Sequence, residues 1–313
     1  MTYLHDEDCK VAIILCTLNG AAFIKDQLES IQNQTHKNWD LWVFDDGSTD
    51  QTREIVQAFE EELKTNQLFW CKGPNKGFAR NFIQGILTVG EGYDFISLSD
   101  QDDIWYANKL ERALEMLCQY DLSEPVLYGS RTKLIDAQGK DIGLSKFYGN
   151  PPSLANALVQ NIAGGNTMVF NKQVVDLLAN IPEDADVVSH DWLIYQLVML
   201  ADGHFHYDQF AYIEYRQHER NLIGNNMSAI GKVRRLITFL SGKKKSDFTR
   251  NLDLLTSLKI TTTENSKQLL FTFSQRRNSH FIVRLKFGLE PLVARQSKIE
   301  SVILIFGLIL GLN

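Results

Sequence analysis

Positions 97–105 carry the sequence Ser-Leu-Ser-Asp-Gln-Asp-Asp-Ile-Trp, in which three carboxylates follow an apolar run. Residues 93–98 are predicted to form a buried strand, so Asp100, Asp102 and Asp103 lie where a parallel sheet opens onto its ligand crevice. Three neighbouring negative charges repel one another, which raises their pKa values unless a positive charge lies among them. A hard divalent cation such as Mg²⁺ prefers carboxylate oxygens and usually brings substrate phosphates with it. The alternative is a solvated acidic loop that caps the next helix.

The charge of the chain is distributed unevenly. The 313 residues carry a net charge of -6 and are 44% hydrophobic, which suffices for one large domain or for a domain with an appendage. Residues 1–230 carry 17 Lys and Arg against 33 Asp and Glu, whereas residues 231–313 carry 15 against 5. An acidic body with a basic tail indicates two tasks. Nucleic-acid binding by the tail is disfavoured, because the acidic body repels phosphates.

The end of the chain is apolar as well as basic. Residues 302–312 are eleven uncharged residues dominated by Ile and Leu, whereas a helix needs about 20 to span a bilayer. Basic residues and an apolar segment together are typical of a helix that lies in the membrane interface. The alternative is a helix that packs on the body with its lysines solvated. We expect residues 226–313 to form a basic, mostly helical region that contacts a membrane surface. The basic residues are Lys243, Lys244, Lys245, Arg276, Arg277, Arg284, Lys286, Arg295 and Lys298.

Strands and helices alternate along the first 130 residues. This order predicts an α/β sheet with right-handed crossovers, followed by a boundary near residue 225 in the polar turn Gly224-Asn225-Asn226. The four cysteines are scattered without zinc-type spacing, which favours reduced thiols and a cytoplasmic protein. No apolar segment precedes the first strand, so no secretory signal is expected. The predicted strands are 11–16, 41–44, 68–71, 93–98 and 126–130, and the predicted helices include 21–33, 77–87 and 105–120.

Three polar segments each follow a predicted strand and therefore meet at one edge of the sheet. They are residues 17–20 (Thr-Leu-Asn-Gly), residues 45–48 (Asp-Asp-Gly-Ser) and residues 100–103. Neither a GxGxxG after the first strand nor a Walker A lysine motif is present, so a dinucleotide enzyme and a P-loop NTPase are disfavoured. A nucleotidyltransferase is also disfavoured, because the loop after the first strand has no basic residue before Lys25.

These segments resemble, in order and spacing, those of the GT-A glycosyltransferases of family 2. The Asp-Gln-Asp-Asp-Ile-Trp form, with residues 190–192 (His-Asp-Trp) and 215–218 (Tyr-Arg-Gln-His), is similar to bacterial rhamnosyltransferases of O-antigen and cell-wall polysaccharide synthesis. The resemblance covers about residues 10–225. It implies a GT-A catalytic domain over residues 1–225, a Rossmann-like mixed sheet flanked by helices.

The resemblance also implies an activity and its partners. A nucleotide-sugar donor, dTDP-L-rhamnose in the narrower match, would give its sugar with inversion to a glycan carried on a polyprenyl diphosphate. The enzyme would be cytoplasmic and peripheral on the inner face of the plasma membrane. A UDP-hexose donor and a non-catalytic sugar-nucleotide-binding protein are the alternatives.

The resemblance assigns the donor side as follows. Thr17, Asn19 and Asp46 would hold the nucleoside. Lys76 and Arg80, on the loop and first turn after the third strand, would meet the donor phosphates. The alternative for these two residues is a solvated helix start.

The same resemblance assigns the metal. Asp100 and Asp102 would bracket Mg²⁺ or Mn²⁺ on the donor diphosphate. Asp103 is a candidate helix cap instead. His218 would be a third metal ligand or a diphosphate contact, with Arg216 or Arg220 nearby, unless it is a structural histidine.

Asp191 is the candidate general base of an inverting reaction. Ser189 can cap the helix that follows, so Asp191 lies in its first turn, where the helix dipole favours the ionised form. The alternative is that Asp191 only stabilises that helix end. Gly165, Asn166 and Trp192 are assigned to the acceptor side. The glycine pair 164–165 either admits a ligand close to the backbone or forms a tight turn, and Trp192 packs beneath the base or against a sugar face.

Overall fold

A computed structural model of the chain describes residues 9–63, 67–90, 92–218 and 245–312. The strands are β1 (Val11–Thr17), β2 (Trp39–Asp45), β3 (Leu68–Lys72), β4 (Phe95–Ser99), β5 (Ile104–Trp105), β6 (Val126–Asp136), β7 (Asp141–Leu144), β8 (Val169–Asn171) and β9 (His204–Gln217). The helices are α1 (Ile24–Gln32), α2 (Thr52–Glu62), α3 (Phe78–Val89), α4 (Lys109–Leu117), α5 (Leu154–Ala157), α6 (Lys172–Leu178), α7 (His190–Leu200), α8 (Lys245–Ser257), α9 (Glu264–Arg277), α10 (Phe281–Arg284), α11 (Lys286–Leu289) and α12 (Lys298–Leu310).

The strands of the described residues form one mixed sheet in the order β3-β2-β1-β4-β8-β6-β9-β5, with β7 paired to β6. β1 runs parallel to β2 and β4, and β2 runs parallel to β3. β8 is antiparallel to both of its neighbours, β4 and β6. The expected fold class, an α/β mixed sheet flanked by helices, is confirmed. The carboxyl ends of β1, β2 and β4 meet at one edge, as the sequence predicts.

β1 is buried on both faces because helices cover both sides of the sheet. Its side chains alternate between two hydrophobic clusters. Ile13 and its odd-numbered neighbours pack with α1, α2 and α4, whereas Ile14 and its even-numbered neighbours pack with α3, α6 and α7. The continuous apolar run of this strand therefore serves two cores rather than one.

The predicted helix over residues 105–120 is wrong at its start. Trp105 belongs to strand β5 and pairs with Ile213 of β9, and the next backbone N–H, that of Tyr106, donates to the carbonyl of Tyr212 at 2.9 Å. The helix begins only at Lys109. A backbone partner more than 100 residues away decides this boundary, and local periodicity contains no sign of it.

The C-terminal helices pack on the body and share its core. Phe248 of α8, Phe273 of α9, Phe287 of α11 and Leu304 of α12 belong to the same hydrophobic cluster as Leu193 of α7. None of the helices in the described residues is long and apolar enough to cross a membrane. The predicted boundary at residues 225 and 226 lies outside the described residues, as do Arg220, Lys243 and Lys244.

Two of the basic residues expected near a membrane are buried instead. Arg276 donates to the carbonyl oxygen of Glu290 at 2.9 Å, which joins α9 to the segment after α11. Arg277 donates to the carbonyl oxygen of Lys245 at 3.1 Å and to Oγ1 of Thr249 at 2.9 Å, which joins α9 to α8. Part of the positive charge of this region therefore stabilises helix packing, because buried guanidinium groups need acceptors.

Candidate active site

Gln101 joins the acidic loop to the loop after β1. Its Oε1 accepts hydrogen bonds from Oγ1 of Thr17 at 2.6 Å and from the backbone N–H of Leu18 at 3.0 Å. Its Nε2 donates to the carbonyl oxygen of Leu18 at 3.2 Å. A Cβ at Gly20 would lie 2.3 Å from Oε1 of Gln101, so the close approach requires glycine there. The sequence analysis assigned no role to Gln101, although it stands inside the acidic motif.

The residues expected at the nucleoside lie at the sheet edge and shape its loops. Asp46 is buried and accepts hydrogen bonds from the backbone N–H groups of Asn75 at 2.5 Å and Gly77 at 2.9 Å. Asn19 has a positive φ of 51°, and its Oδ1 accepts from the backbone N–H of Thr49 at 2.8 Å. These bonds link the loops after β1, β2 and β3 into one rim.

The two basic residues expected at the donor phosphates differ in their surroundings. Lys76 is exposed on the loop whose N–H groups Asp46 holds. The guanidinium of Arg80 donates to the carbonyl oxygens of Pro182, Glu183 and Ala185, at 2.6 Å for Ala185. Arg80 thus ties α3 to the segment that leads into α7, and one amino group of its guanidinium is engaged by protein carbonyls.

Asp100 lies near two other acids at the bottom of the crevice. Burial, together with the charges of Asp102 and Asp191, raises the pKa of Asp100 to about 8. Asp191 comes from α7, about 90 residues along the chain, so the structure brings the acidic loop and the candidate base together.

His218 follows β9 and reaches the same loop. Its Nε2 lies 2.7 Å from Oδ2 of Asp102, and its ring stacks on Phe23 with 5.0 Å between the ring centroids. The structure therefore places His218 beside Asp102, one of the two acids expected to hold the metal. The sequence analysis gave Phe23, the residue directly before α1, no role at the site.

Asp103 is not a helix cap, contrary to the expectation, because α4 begins at Lys109 and its N-cap is Asn108. The side chain of Asp103 is fully buried, and Oδ2 accepts a hydrogen bond of 2.5 Å from Nδ2 of Asn166. Burial and the neighbouring acids raise the pKa of Asp103 well above its usual range. Asn166, expected on the acceptor side, thus uses its amide to hold the acidic loop.

Arg216 is buried and supports the acidic loop from below. Its Nε donates to the carbonyl oxygen of Asp102 at 3.0 Å, and its NH2 group donates to Oδ2 of Asp26 at 3.0 Å. The guanidinium lies over the ring of Phe23 at 4.9 Å from the centroid. Arg216 therefore positions the backbone of Asp102, a role that the sequence did not distinguish from a diphosphate contact.

The start of α7 fixes the candidate base. The helix begins directly after Ser189, as predicted, but the Ser189 hydroxyl donates to Oδ1 of Asp191 and accepts no hydrogen bond from a helix N–H group. The backbone N–H of Trp192 donates to the same oxygen at 2.7 Å. Trp192 itself donates from Nε1 to the carbonyl oxygen of Ala157 at 2.7 Å and meets the edge of Phe248. These contacts pack Trp192 against Ala157 of α5 and Phe248 of α8.

Gly165 lies against His190. A Cβ at Gly165 would be 2.3 Å from Nε2 of His190, so glycine permits the turn to approach the start of α7. The His190 ring stacks on Phe82 at 4.1 Å, and neither ring nitrogen has a hydrogen-bond partner among the described residues. Burial lowers the pKa of His190 to about 4, so this histidine stays neutral beside Asp191 and does not offset its charge.

Asp100, Asp102 and His218 are the side chains that the sequence analysis assigns to a divalent cation. In the described part of the chain, no three His, Cys, Asp or Glu side chains are arranged to hold a metal by themselves. Mg²⁺ is commonly bound by one or two carboxylates together with substrate phosphates, so a complete protein cage is not required. Burial and two neighbouring acids raise the pKa of Asp100, and a bound cation would lower it.

We expect metal binding to depend on pH. In the metal-free protein Asp100 holds a proton below about pH 8, and a metal must displace that proton. The apparent affinity for Mn²⁺ should therefore fall by up to about tenfold per pH unit as the pH drops below 8, and level off above it. Electron paramagnetic resonance of free Mn²⁺ at pH 6 to 9 measures this. Asp100→Asn is the control and should flatten the dependence; the same slope in both proteins would contradict the prediction.

Sequence comparison with known proteins assigns the chain to a family. The sequence profile of Glycosyl transferase family 2 matches residues 12–142. The dTDP-rhamnosyl transferase RfbG of Shigella flexneri is 30% identical over 237 residues, which cover 71% of this chain and 78% of RfbG. The chain belongs to glycosyltransferase family 2. A second relative of this family 2 glycosyltransferase is the UDP-Glc:alpha-D-GlcNAc-diphosphoundecaprenol beta-1,3-glucosyltransferase WfgD of Escherichia coli. WfgD is 37% identical over 40% of this chain and 46% of its own length.

Solved structures agree with this assignment at the level of the fold. TarS 1–349 of S. aureus, solved in complex with UDP-GlcNAc, superposes with a TM-score of 0.58 and 18% identity over 96% of this chain and 81% of that chain. The mannosyltransferase PcManGT of Pyrobaculum calidifontis, in complex with GDP-Man and Mn²⁺, superposes with a TM-score of 0.55 and 16% identity. That superposition covers 100% of this chain and 84% of that chain. The expected GT-A fold of this family 2 glycosyltransferase is thereby confirmed.

Proposed function

We propose that the chain transfers a sugar with inversion from a nucleotide-sugar donor, dTDP-L-rhamnose, to a lipid-linked glycan on the cytoplasmic face of the membrane. One observation carries the proposal: Asp191, at the start of α7, is close enough to Asp100 to raise its pKa. The carboxylate that we assign as the base therefore lies near the acids that we assign to the donor diphosphate. The presence of both Asp102 and Asp191 argues against a non-catalytic sugar-nucleotide-binding protein.

Asp191 would act as the base through one of its oxygens. Ser189 and the backbone N–H of Trp192 both donate to Oδ1, and Oδ2 has no donor among the described residues. Oδ2 would accept the proton of the acceptor hydroxyl as the hydroxyl oxygen attacks the anomeric carbon from the side opposite the diphosphate. The bond from the anomeric carbon to the diphosphate oxygen then breaks, and the nucleoside diphosphate leaves with the electron pair.

The donor would lie along the rim formed by the loops after β1, β2 and β3. Thr17, Asn19 and Asp46 are assigned to the nucleoside. Lys76 and Arg80 are assigned to the phosphates; Lys76 is exposed, whereas one amino group of Arg80 already donates to protein carbonyls. Asp100, Asp102 and His218 would hold Mg²⁺ or Mn²⁺, whose charge stabilises the diphosphate as it leaves.

The choice of donor rests on the named relatives. RfbG is a dTDP-rhamnosyl transferase, and it covers more of this chain than WfgD, whose name gives UDP-glucose as donor and a diphosphoundecaprenol-linked sugar as acceptor. The first name supports dTDP-L-rhamnose and the second supports a lipid-linked acceptor. A UDP-hexose donor with the same mechanism is the second candidate, since TarS was solved with UDP-GlcNAc.

Thermal protection by candidate donors tests the proposal. A ligand at about 100 times its dissociation constant stabilises the native state by roughly 2.7 kcal/mol, which visibly shifts the unfolding midpoint. We expect a shift with dTDP-L-rhamnose in the presence of Mg²⁺ or Mn²⁺, a smaller one in EDTA, and none with UDP-sugars. If only UDP-sugars shift the unfolding midpoint, the donor is a UDP-sugar and the proposed mechanism stands. The absence of a shift with any nucleotide sugar would refute the proposed function.

A further inference from the structure

The last helices expose an unusual number of large apolar side chains. Of the sixteen such exposed side chains in the described residues, nine lie between residues 271 and 310, and we call these nine the apolar face. Contiguous exposed apolar surface of this kind marks an interaction site in soluble proteins. The apolar face consists of Phe271, Phe281, Ile282, Leu285, Leu289, Ile299, Val302, Phe306 and Leu310.

Helix α12 is apolar on two opposite sides. Leu304 and Leu308 are buried against the body, and they account for its packing. Ile299, Val302 and Phe306 follow one another at helical spacing on the other side and are 73%, 64% and 65% exposed. A helix that only packed on the body would carry polar residues on this outer side.

The neighbouring helices extend the same surface. α10 and α11 both pack against α12. Arg284 of α10 lies against Gly311, and a Cβ at Gly288 of α11 would lie 3.4 Å from Ile309. Ile282 and Leu289 on these two short helices are 71% and 82% exposed. The exposed side chains of three helices therefore occupy adjoining parts of one surface.

The charges around the apolar face are mainly positive. Residues 264–312 carry seven Lys and Arg against three Asp and Glu, and two of the seven, Arg276 and Arg277, are buried. The carboxylates of Glu290 and Glu300 are paired, with Arg276 at 3.2 Å and with Lys146 at 2.7 Å respectively. The exposed cations beside the face are Lys286 and Lys298.

We propose that the apolar face docks the protein onto an anionic lipid bilayer, with α12 lying in the plane of the interface. At 13 residues α12 is about 20 Å long, and it inserts its outer side chains among the lipids without crossing them. Anionic headgroups would neutralise the flanking lysines, whereas a two-fold dimer through this face would bring the lysines of two copies together. The purpose of this docking rests on the lipid-linked acceptor of the proposed function. The experiment that tests the docking does not depend on that function.

Co-sedimentation with vesicles tests the proposal without donor or acceptor. The unmodified protein should bind vesicles that contain phosphatidylglycerol more tightly than vesicles of phosphatidylcholine alone, and added salt should weaken binding. The double variant Leu289→Ser/Phe306→Ser changes only exposed positions and should weaken binding about tenfold or more. The matched control Leu144→Ser/Phe210→Ser changes exposed apolar residues outside the face and should bind as the unmodified protein does.

The outcomes separate this inference from the proposed function. Loss of binding in the face variant with retention in the control supports the docking surface. Equal binding by both variants, or no vesicle binding by the unmodified protein, overturns it. A dimer in solution that the face variant dissociates, without vesicle binding, assigns the face to a second copy and also overturns it. Transfer to a water-soluble acceptor reports on the proposed function alone and should be unchanged in the face variant.

Discussion

Replacing Asp191 by Asn should lower turnover by about 10²- to 10⁴-fold, the range that general-base catalysis supplies. The amide keeps the size of the carboxylate but cannot take the proton of the acceptor hydroxyl. Donor binding should stay within a few-fold of the unmodified protein, because the proposed donor contacts come from other loops. Steady-state transfer to an acceptor, together with thermal protection by the donor, measures both quantities.

The control for this prediction is Ser189→Ala, which removes the hydroxyl that donates to Oδ1 of Asp191 and leaves the carboxylate in place. It should lower turnover much less than Asp191→Asn. Normal turnover in Asp191→Asn would contradict the base assignment and would leave Asp191 with the helix-stabilising role alone, worth about 0.3–1 kcal/mol.

Replacing Asp102 by Ala should abolish the metal-dependent part of donor binding. Asp102 is the acid that touches His218, at 2.7 Å, and its backbone is fixed by Arg216. We expect donor affinity to fall about 100-fold in Mn²⁺ and to change little in EDTA, since loss of even an outer partner of a metal ligand costs 10–100-fold. Calorimetric titration with dTDP in the two buffers measures the difference.

Asp26→Ala is the control for the metal assignment. Asp26 is a half-exposed acid that pairs with Arg216 at 3.0 Å. It contacts Arg216, which holds the backbone of Asp102, and is not itself a proposed metal ligand. It should weaken metal-dependent binding less than Asp102→Ala does. Equal donor affinity of Asp102→Ala and the unmodified protein in Mn²⁺ would show that the acidic loop has no metal role.

The sequence predicted the elements that local pattern controls. The strands at β1, β3 and β4 and the start of α7 after Ser189 lie where the apolar periodicity and the capping residue place them. It also predicted that Asp46 and Asp100 would share one sheet edge, because successive parallel strands end on the same side. The resemblance added the pairing of Asp102 with His218, which the structure brings to 2.7 Å.

Tertiary contacts decided the residues whose roles changed. Arg80 is engaged by carbonyl oxygens about 100 residues away, and Asp103 is buried under the amide of Asn166 instead of capping a helix. Arg277 looked like a membrane contact, yet it is buried between α8 and α9. In each case a charged side chain is paired by a partner distant in sequence, which charge patterning along the chain does not reveal.

The sequence by itself determined which polar residues reach the crevice, because strand direction and the alternation of strands with helices are local properties. Only the tertiary structure decided which of those polar groups are used inside the protein. The acidic loop shows the difference. Asp103 and Gln101 make hydrogen bonds to residues distant in sequence. Asp100 lies near Asp191, and Asp102 contacts His218. Burial and hydrogen-bond partners depend on contacts across the whole fold, and these contacts separate the acids that we assign to a ligand from structural ones.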